Sequence, residues 1–569
     1  VSTVPSGDRP WLAQYAPGVP AEIDRTDESL ADLLAAAVER FGPKIALDFY
    51  GATTTYAELG DQVARMATVL VGLGVRKGDR VALVMPNCPQ HVVAFYAALR
   101  LGAVVVEHNP LYTREELQHQ FDDHGAEVAV AWDKVAPTLA AVAETAPLRT
   151  IIAVDITTAL PRKQQLMLKL PVRKARETRA AMTAPAPGAL KWDRLLKVAS
   201  PLPADHPTPA ADDLALLQYT GGTTGTPKGA MLSHRNLRAN AAQGRAWMPG
   251  LKDGQEVVYG VLPLFHAYGL TLCLTFTISI GAVLVLFPRF DVDQVLEASA
   301  RRPATFLPAV PPVYQALADA AVKRGVDLRS IRYGISGAMS LPPSTVEQWE
   351  AVTGGLLVEG YGMTETSPVT LGNPAGGTRR PGSVGVPFPS TDVRVVDPHD
   401  PAHDVATDEP GELLVRGPQV FGGYWNRPED TARTLLDGGW IRTGDIVVMD
   451  DEGFVTVVDR IKELIITGGF NVYPSEVEDA LRRVPGVADA AAVGLPNDTG
   501  GETVVAAVVA EGFAVLEPDA VREAVREHLT GYKVPRQVFV VDELPRSLIG
   551  KVLHREVRAM LEAHPDRRP

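Results

Sequence analysis

Helical and strand-like periodicities take turns along the first third of the chain. SLADLLAAAVERFG and YAELGDQVARMATVLVGLG space their apolar residues along one helix face, and VALVMP is a short apolar run. A helical HVVAFYAALRLG then leads into a strand-like AVVVEHN. This alternation predicts a mostly parallel sheet covered by helices on both faces, because parallel neighbours need a crossover between them. The rhythm persists to about residue 390. From about 391 to 459 the short runs DVRVVD, GELLVRG and GFVTVVDR, separated by Gly, Asp and Pro, predict a small β-subdomain. After Arg460 the order ELIITGG, SEVEDALRRV, VADAAAVGLP, ETVVAAVVA, VREAVREHLTG, QVFVVDELP predicts a compact α+β module. The expected fold class is α/β: a large N-terminal region of layered α/β subdomains plus a small β-subdomain, followed by a smaller α+β domain. At about 150 residues per domain, a chain of 569 residues holds roughly three or four lobes.

Apolar residues at 46 % and charged residues at 22 % exclude disordered, collagen-like and coiled-coil chains. The two cysteines, Cys88 and Cys273, are too few for a disulfide framework or a thiolate zinc site and fit a reducing cytoplasm. With 68 acidic against 55 basic side chains, a formal charge of −13, the chain carries no global footprint for nucleic acid. A polyanion would have to be held by local lysines, arginines and backbone amides. The opening VSTVPSGDRPWLAQYAPGVP has proline and charge where a signal peptide has its apolar core, and AHPDRRP carries no lipidation signal, so a cytoplasmic protein is expected.

Two stretches bear on membranes. No charged side chain occurs between Glu256 and Arg289, but Pro263, Gly269, Gly281 and several Thr and Ser residues punctuate the run. It reads as strand VVYGVLP, buried helix YGLTLCLTFTISI and strand AVLVLF inside an α/β core rather than as a spanning helix. Residues 161–180, PRKQQLMLKLPVRKARETRA, hold Arg162, Lys163, Lys169, Arg173, Lys174, Arg176 and Arg179 against the single acid Glu177, with Leu166, Leu168 and Leu170 interleaved. This segment reads either as a solvated helical insertion, favoured by the breaks at Pro161 and Pro171, or as a membrane-surface element.

The densest chemical signal is Leu216-Leu217-Gln218-Tyr219-Thr220-Gly221-Gly222-Thr223-Thr224-Gly225-Thr226-Pro227-Lys228-Gly229. An apolar strand runs into a loop of glycines, threonines and one lysine. Glycines let backbone amides converge on phosphate oxygens, threonine hydroxyls add donors, and Lys228 adds a point charge. The spacing is not G-x-x-x-x-G-K-[ST], because Pro227 precedes the lysine and Gly229 follows it, so a P-loop NTPase is excluded.

Tyr219–Gly229 resembles the phosphate-loop signature of the adenylate-forming superfamily: acyl- and aryl-CoA synthetases, luciferases and peptide-synthetase adenylation domains. The resemblance extends in order through Glu359-Gly360-Tyr361-Gly362-Met363-Thr364-Glu365-Thr366 and Trp440-Ile441-Arg442-Thr443-Gly444-Asp445. It continues through Asp459-Arg460-Ile461-Lys462-Glu463, Gly468-Gly469-Phe470-Asn471 and Pro545-Arg546-Ser547-Leu548-Ile549-Gly550-Lys551. Gly221 departs from the Ser that many members carry, which removes one hydroxyl donor. Alone, Asp445 reads as a turn residue and Lys551 as a surface charge; their order with the loop turns them into site residues.

The resemblance implies ATP, Mg2+ and coenzyme A as cofactor and substrates. It implies that Thr220, Gly221, Gly222, Thr223, Thr224, Gly225 and Lys228 surround the phosphates, that Thr364 contacts the α-phosphate and that Glu365 holds Mg2+. Tyr361 would stack on adenine, with Gly337 and Ala338 on its other side and Glu359, Gly360, Gly362 and Met363 completing the pocket. Asp445 and Arg460 would bind the ribose hydroxyls. Lys551 would bridge the incoming carboxylate and the α-phosphate during adenylation. It also implies domains at 1–459 and 463–569, with the second rotating about a hinge at 460–462 centred on Lys462. Lys551 then withdraws, and Gly468, Gly469 and Phe470 line the CoA tunnel.

Pro263–Leu270 resembles the start of the acyl-pocket helix, placing His266 and Tyr268 beside the carboxylate path with Val310 and Gly337; a satisfied core histidine is the plainer reading of His266. Leu307–Tyr314 resembles the matching stretch of bacterial long-chain fatty acid–CoA ligases. The expected reaction is ATP-dependent activation of a medium- or long-chain fatty acid and transfer to CoA. An aryl-CoA ligase and a fatty acyl-AMP ligase are the alternatives. Membrane contact through 161–180 and a homodimer are further expectations.

Overall fold

In the computed structural model, which describes residues 9–25, 27–220, 227–467, 470–496, 502–512, 514–547 and 550–564, apolar strands and capped helices alternate as the sequence pattern predicts. The helices Leu30–Phe41, Tyr56–Gly72, Arg114–His124 and His234–Trp247 each open with a capping box, from Ser29/Asp32, Thr55/Glu58, Thr113/Glu116 and Ser233/Asn236. Each such cap contributes about 1 kcal/mol and fixes where the helix begins. The chain divides into two compact units, a larger one of Trp11–Asp392 with Val415–Ile441 and a smaller one containing Val393–Leu414 and Arg442–Pro569.

The larger unit holds two sheets. In a seven-stranded sheet, Thr150–Val154, Val128–Trp132, Arg80–Val84, Val104–His108 and Leu214–Thr220 run parallel in that order, and Lys228–Ser233 closes one edge antiparallel. In a nine-stranded sheet, Ile45–Phe49, Val283–Leu286, Val257–Gly260, Phe306–Ala309, Tyr333–Ser336 and Leu356–Gly362 run parallel, with antiparallel strands at both ends. The register Ala309↔Ser336 and Ser336↔Glu359 aligns the carboxyl ends of three neighbouring strands. In open parallel sheets that end is where ligands bind.

The long uncharged run lies in this second sheet. Val257–Gly260 and Val283–Leu286 are adjacent parallel strands, and the helical stretch between them carries a π-turn over Leu270–Thr275 in place of the continuous helix expected. No helix among the described residues is long and apolar enough to cross a membrane. Residues 161–180 form two short helices, Arg162–Met167 and Arg173–Met182, neither of which buries a residue. Leu166, Met167, Leu170 and Val172 are all exposed.

In the smaller unit the strand Trp440–Met449 pairs antiparallel with Val455–Arg460. Beyond it, Val487–Pro496, Glu502–Ala510 and Gln537–Val541 form a three-stranded sheet. Strand alternation sends Ala490 and Ala492 to one face, under Val477, Leu481, Val521 and Val525, and Ala491 and Val493 to the other, under Val557 and Leu561. The helix expected over VREAVREHLTG begins earlier, at Pro518, and ends at Val525, because Pro at the first helical turn is a favoured start.

Candidate active site

The buried strand Leu214–Thr220 returns as Lys228–Ser233, with Thr220 opposite Lys228 and Tyr219 opposite Gly229. Gly221, Gly222, Thr223, Thr224 and Gly225 lie outside the described residues. The Lys228 ammonium stands 2.8 Å from Asp430 and 5.3 Å from the centroid of the Tyr424 ring. The Tyr219 hydroxyl donates to Asp123 at 2.7 Å, anchoring the strand that delivers the loop. Near the end of this strand, the Gln218 side-chain amide donates to the Phe265 carbonyl at 2.8 Å, tying it to the segment that carries His266.

At the carboxyl ends of the second sheet, Gly337 follows Tyr333–Ser336, and Glu359–Gly362 ends Leu356–Gly362. A Cβ on Gly337 would stand 3.2 Å from both the Gly360 carbonyl and the Tyr268 ring, so only glycine fits without displacement. At Gly362 it would stand 1.8 Å from the Pro368 carbonyl. Ala338 has φ 67°, a left-handed conformation strained for a residue with a Cβ. The Glu359 side chain is committed inward: it accepts from Asn373 at 2.8 Å and from the Gly382 amide at 3.1 Å, and burial raises its pKa. Tyr361 and Met363 are half-buried beside it.

Thr364–Thr366 form one 3-10 turn, closed by the Thr366 hydroxyl donating to the Pro368 carbonyl at 2.6 Å. Glu365 is buried, and the Tyr424 hydroxyl donates to its carboxylate at 2.6 Å. Burial, then the Glu365 charge, holds the Tyr424 phenol well above its usual range, so it stays a donor. Among the described residues no group of three or more His, Cys, Asp or Glu could hold a metal. A cation at Glu365 would thus take one protein carboxylate and fill its shell with phosphate and water oxygens. Mg2+ is usually bound in that way, so the donor fits it.

In the segment Pro263–Leu270, the His266 ring accepts through Nδ1 from the Tyr268 amide at 3.3 Å, and burial pushes its pKa down to about 4. The neutral ring therefore carries its proton on Nε2 near pH 7. Asn87 pins the preceding loop, donating to the Gly260 and Leu262 carbonyls and accepting from the Leu264 amide. The Tyr268 hydroxyl donates to the carbonyl of Ile335 at 2.7 Å, with the Ala309 carbonyl 3.1 Å away. Tyr268 thus touches both Gly337 and the strand end at Ala309, the residue before Val310.

The smaller unit assembles the remaining residues by itself. Asp445 and Arg460 are register partners, with Arg460 Nε 3.0 Å from the Asp445 carboxylate. Lys551 sits on a tight turn in which its amide donates to Ser547 Oγ and Gly550 takes φ 82°. Its ammonium is pushed below the usual lysine range by burial and then by Arg460, against the opposing pull of Glu463, Asp445 and Asp459. One turn on, His554 lies 2.7 Å from Glu478 and 3.5 Å from Glu463. Lys462 is the middle residue of the turn Ile461–Glu463. Gly468 and Gly469 lie outside the described residues, and Phe470 opens the strand Phe470–Val472.

Sequence reasoning missed Tyr424, Asp430 and Asp123. GGYWNRPED reads as a turn followed by a helix start, and none of the three stands near its partner in sequence, so no local signal marks them.

Comparison with known proteins shows the family of the chain. The family model described as AMP-binding enzyme matches residues 34–425, and that of the AMP-binding enzyme C-terminal domain matches 476–551. A long-chain-fatty-acid–CoA ligase of Bacillus subtilis is 37 % identical over 96 % of this chain and 97 % of its own. One of Salmonella typhimurium is 40 % identical over 96 % and 97 %. The crystal structure of ATP-bound MatB from Rhodopseudomonas palustris superposes with a TM-score of 0.78 at 32 % identity, covering 94 % of this chain and 99 % of that one.

Proposed function

The chain belongs to the AMP-binding enzyme family, and from that premise we propose that it activates a medium- or long-chain fatty acid with ATP and passes the acyl group to coenzyme A. A carboxylate oxygen attacks the α-phosphorus of ATP, the bond to the bridging oxygen breaks, and pyrophosphate leaves. The CoA thiol then attacks the carbonyl of the acyl-adenylate, the thiol proton is lost, and AMP leaves. Charge builds on the α-phosphate oxygens in the first step, so positioned cations and donors supply most of the rate. Lys551 and Thr364 meet the α-phosphate, Lys228 meets the outer phosphates, and Asp445 with Arg460 fixes the ribose. Tyr361 stacks on adenine. Mg2+ bound at Glu365 would neutralise phosphate charge. Neutral His266 offers its Nε2 proton to the carboxylate. Rotation about Lys462, between domains 1–459 and 463–569, withdraws Lys551 and brings Gly468–Phe470 to the thiol.

What carries the reading is the likeness to the two long-chain-fatty-acid–CoA ligases over nearly the full length of all three chains. CoA-dependent AMP release, measured across saturated acids of increasing length and several aryl acids, tests it. The proposal expects kcat/KM to rise with chain length and to exceed that of every aryl acid. An aryl preference would replace the substrate class, and turnover that ends at the adenylate would replace the second step.

Such acids partition into membranes, and residues 161–180 suit an approach to them. Exposed Leu166, Met167, Leu170 and Val172 stand among seven cations and one acid in a chain of net charge −13. The fitting partner is an anionic bilayer surface, by charge complementarity and apolar insertion. On this reading the protein works peripherally at the inner face of the cytoplasmic membrane.

A further inference from the structure

The segment 418–431 is stitched along the nucleotide hairpin like a strap. The Asn236 amide donates to the carbonyls of Pro418 at 2.9 Å and Val420 at 2.8 Å. Gly422 and Gly423 exchange backbone bonds with Met231, and the Trp425 amide donates to the Gly229 carbonyl at 2.8 Å. Trp425 Nε1 and the Asn426 amide both donate to the Asp123 carbonyl, just below Tyr219. At its other edge the strap reaches the metal turn, where the Phe421 amide donates to the Glu365 carbonyl at 2.9 Å. Tyr424 and Asp430 project from this strap. The phenol reaches the Glu365 carboxylate, the ring lies under the Lys228 ammonium, and Asp430 pairs with that ammonium.

We propose that Tyr424 and Asp430 are positioning residues of the nucleotide site: one strap fixes both the cation-binding carboxylate of Glu365 and the phosphate lysine, Lys228. This rests on the reading above that those two groups serve ATP. A lysine on a four-carbon stem and a carboxylate free to rotate would each sample many positions. A hydrogen bond from Tyr424 stops the carboxylate's rotation, while the ring face and the Asp430 charge confine the ammonium. Because one side chain touches both, the spacing between cation and lysine is set before ATP arrives, and neither group has to be ordered on binding.

The test uses the full chain and two conservative variants. Tyr424→Phe keeps the ring beneath Lys228 and removes the hydroxyl that bonds Glu365 and Thr434. Asp430→Asn keeps the shape and removes the charge that holds Lys228. Binding of Mn2+ with ATP is followed by electron paramagnetic resonance, alongside the Mg2+ dependence of AMP release and the unfolding midpoint. For Tyr424→Phe the expectation is a roughly tenfold rise in the half-saturating cation concentration by both readouts, at unchanged fatty-acid KM. For Asp430→Asn it is a several-fold rise in KM for ATP with little change in cation dependence. Unchanged cation binding in Tyr424→Phe, or tighter ATP binding in Asp430→Asn, overturns the assignment; the latter would show Asp430 competing with ATP for the lysine. If the wild-type chain releases no AMP with any acid, the enzymatic reading fails and the strap's role falls with it. If the wild type turns over and the variants match it, only the strap's role fails.

Discussion

Arg460 sets its guanidinium 3.0 Å from the carboxylate of Asp445, its partner across the paired strands Trp440–Met449 and Val455–Arg460. The pair offers acceptor and donor side by side, as two ribose hydroxyls require, and both charges act on Lys551 from the end of the chain. A single unit therefore collects three residues that sequence motifs place far apart.

Replacing Lys551 with Ala should cut adenylation by about 10²–10³-fold, the usual cost of removing one charged contact to a developing anion. Thioester formation from supplied acyl-AMP should persist. Single-turnover assays of each half-reaction check this; equal loss in both would remove the lysine's special role.

The depressed Lys551 pKa gives adenylation an alkaline limit. The folded chain releases this proton below the ordinary lysine value of 10.5, so the cation is present on the acid side and lost as pH rises through the lowered pKa. The pH profile of adenylation should fall on its alkaline side earlier than a free lysine would. In Lys551→Arg, whose charge persists, that limb should disappear even if the rate is lower.

Lys462→Pro places a fixed φ and a missing N–H inside the turn Ile461–Glu463. Thiol transfer should slow several-fold more than adenylation. A variant whose second step keeps pace with the wild type would take the hinge away from this residue.

Exchanging Arg162, Lys163, Arg173 and Lys174 for Gln should weaken binding to vesicles containing an anionic lipid on the order of a thousandfold, at about 1 kcal/mol per cation. Turnover of a short, soluble acid should be unaffected, since these helices bury no residue. Co-sedimentation measures it, and unaltered binding would make the segment a solvated insertion.

Local order was legible and long-range order was not. The helices over Leu30–Phe41 and Tyr56–Gly72 follow from apolar residues spaced along one face, a pattern complete within each segment. The apolar run around Tyr268 resolved into two strands and a helical stretch because glycine and proline punctuate it. The π-turn at Leu270–Thr275 left no such mark, since all six of its residues are buried whichever way the turn is wound. Strand order was invisible too. Ile45–Phe49 pairs antiparallel with the adjacent Ala52–Thr55 on one side and parallel with the distant Val283–Leu286 on the other, and nothing near residue 45 encodes that second partner. In the site, Glu365 and Lys228 stood out by motif. Tyr424, fifty-nine residues from Glu365, became visible only when the fold joined them.

The most direct measurement follows a heavy-oxygen label from the fatty-acid carboxylate during complete turnover with ATP and CoA. Attack of the carboxylate on the α-phosphorus leaves one labelled oxygen in the phosphate of AMP, with none in pyrophosphate, and that is the predicted result. Label appearing in orthophosphate or pyrophosphate, or retained wholly in the acyl product, would contradict an acyl-adenylate route.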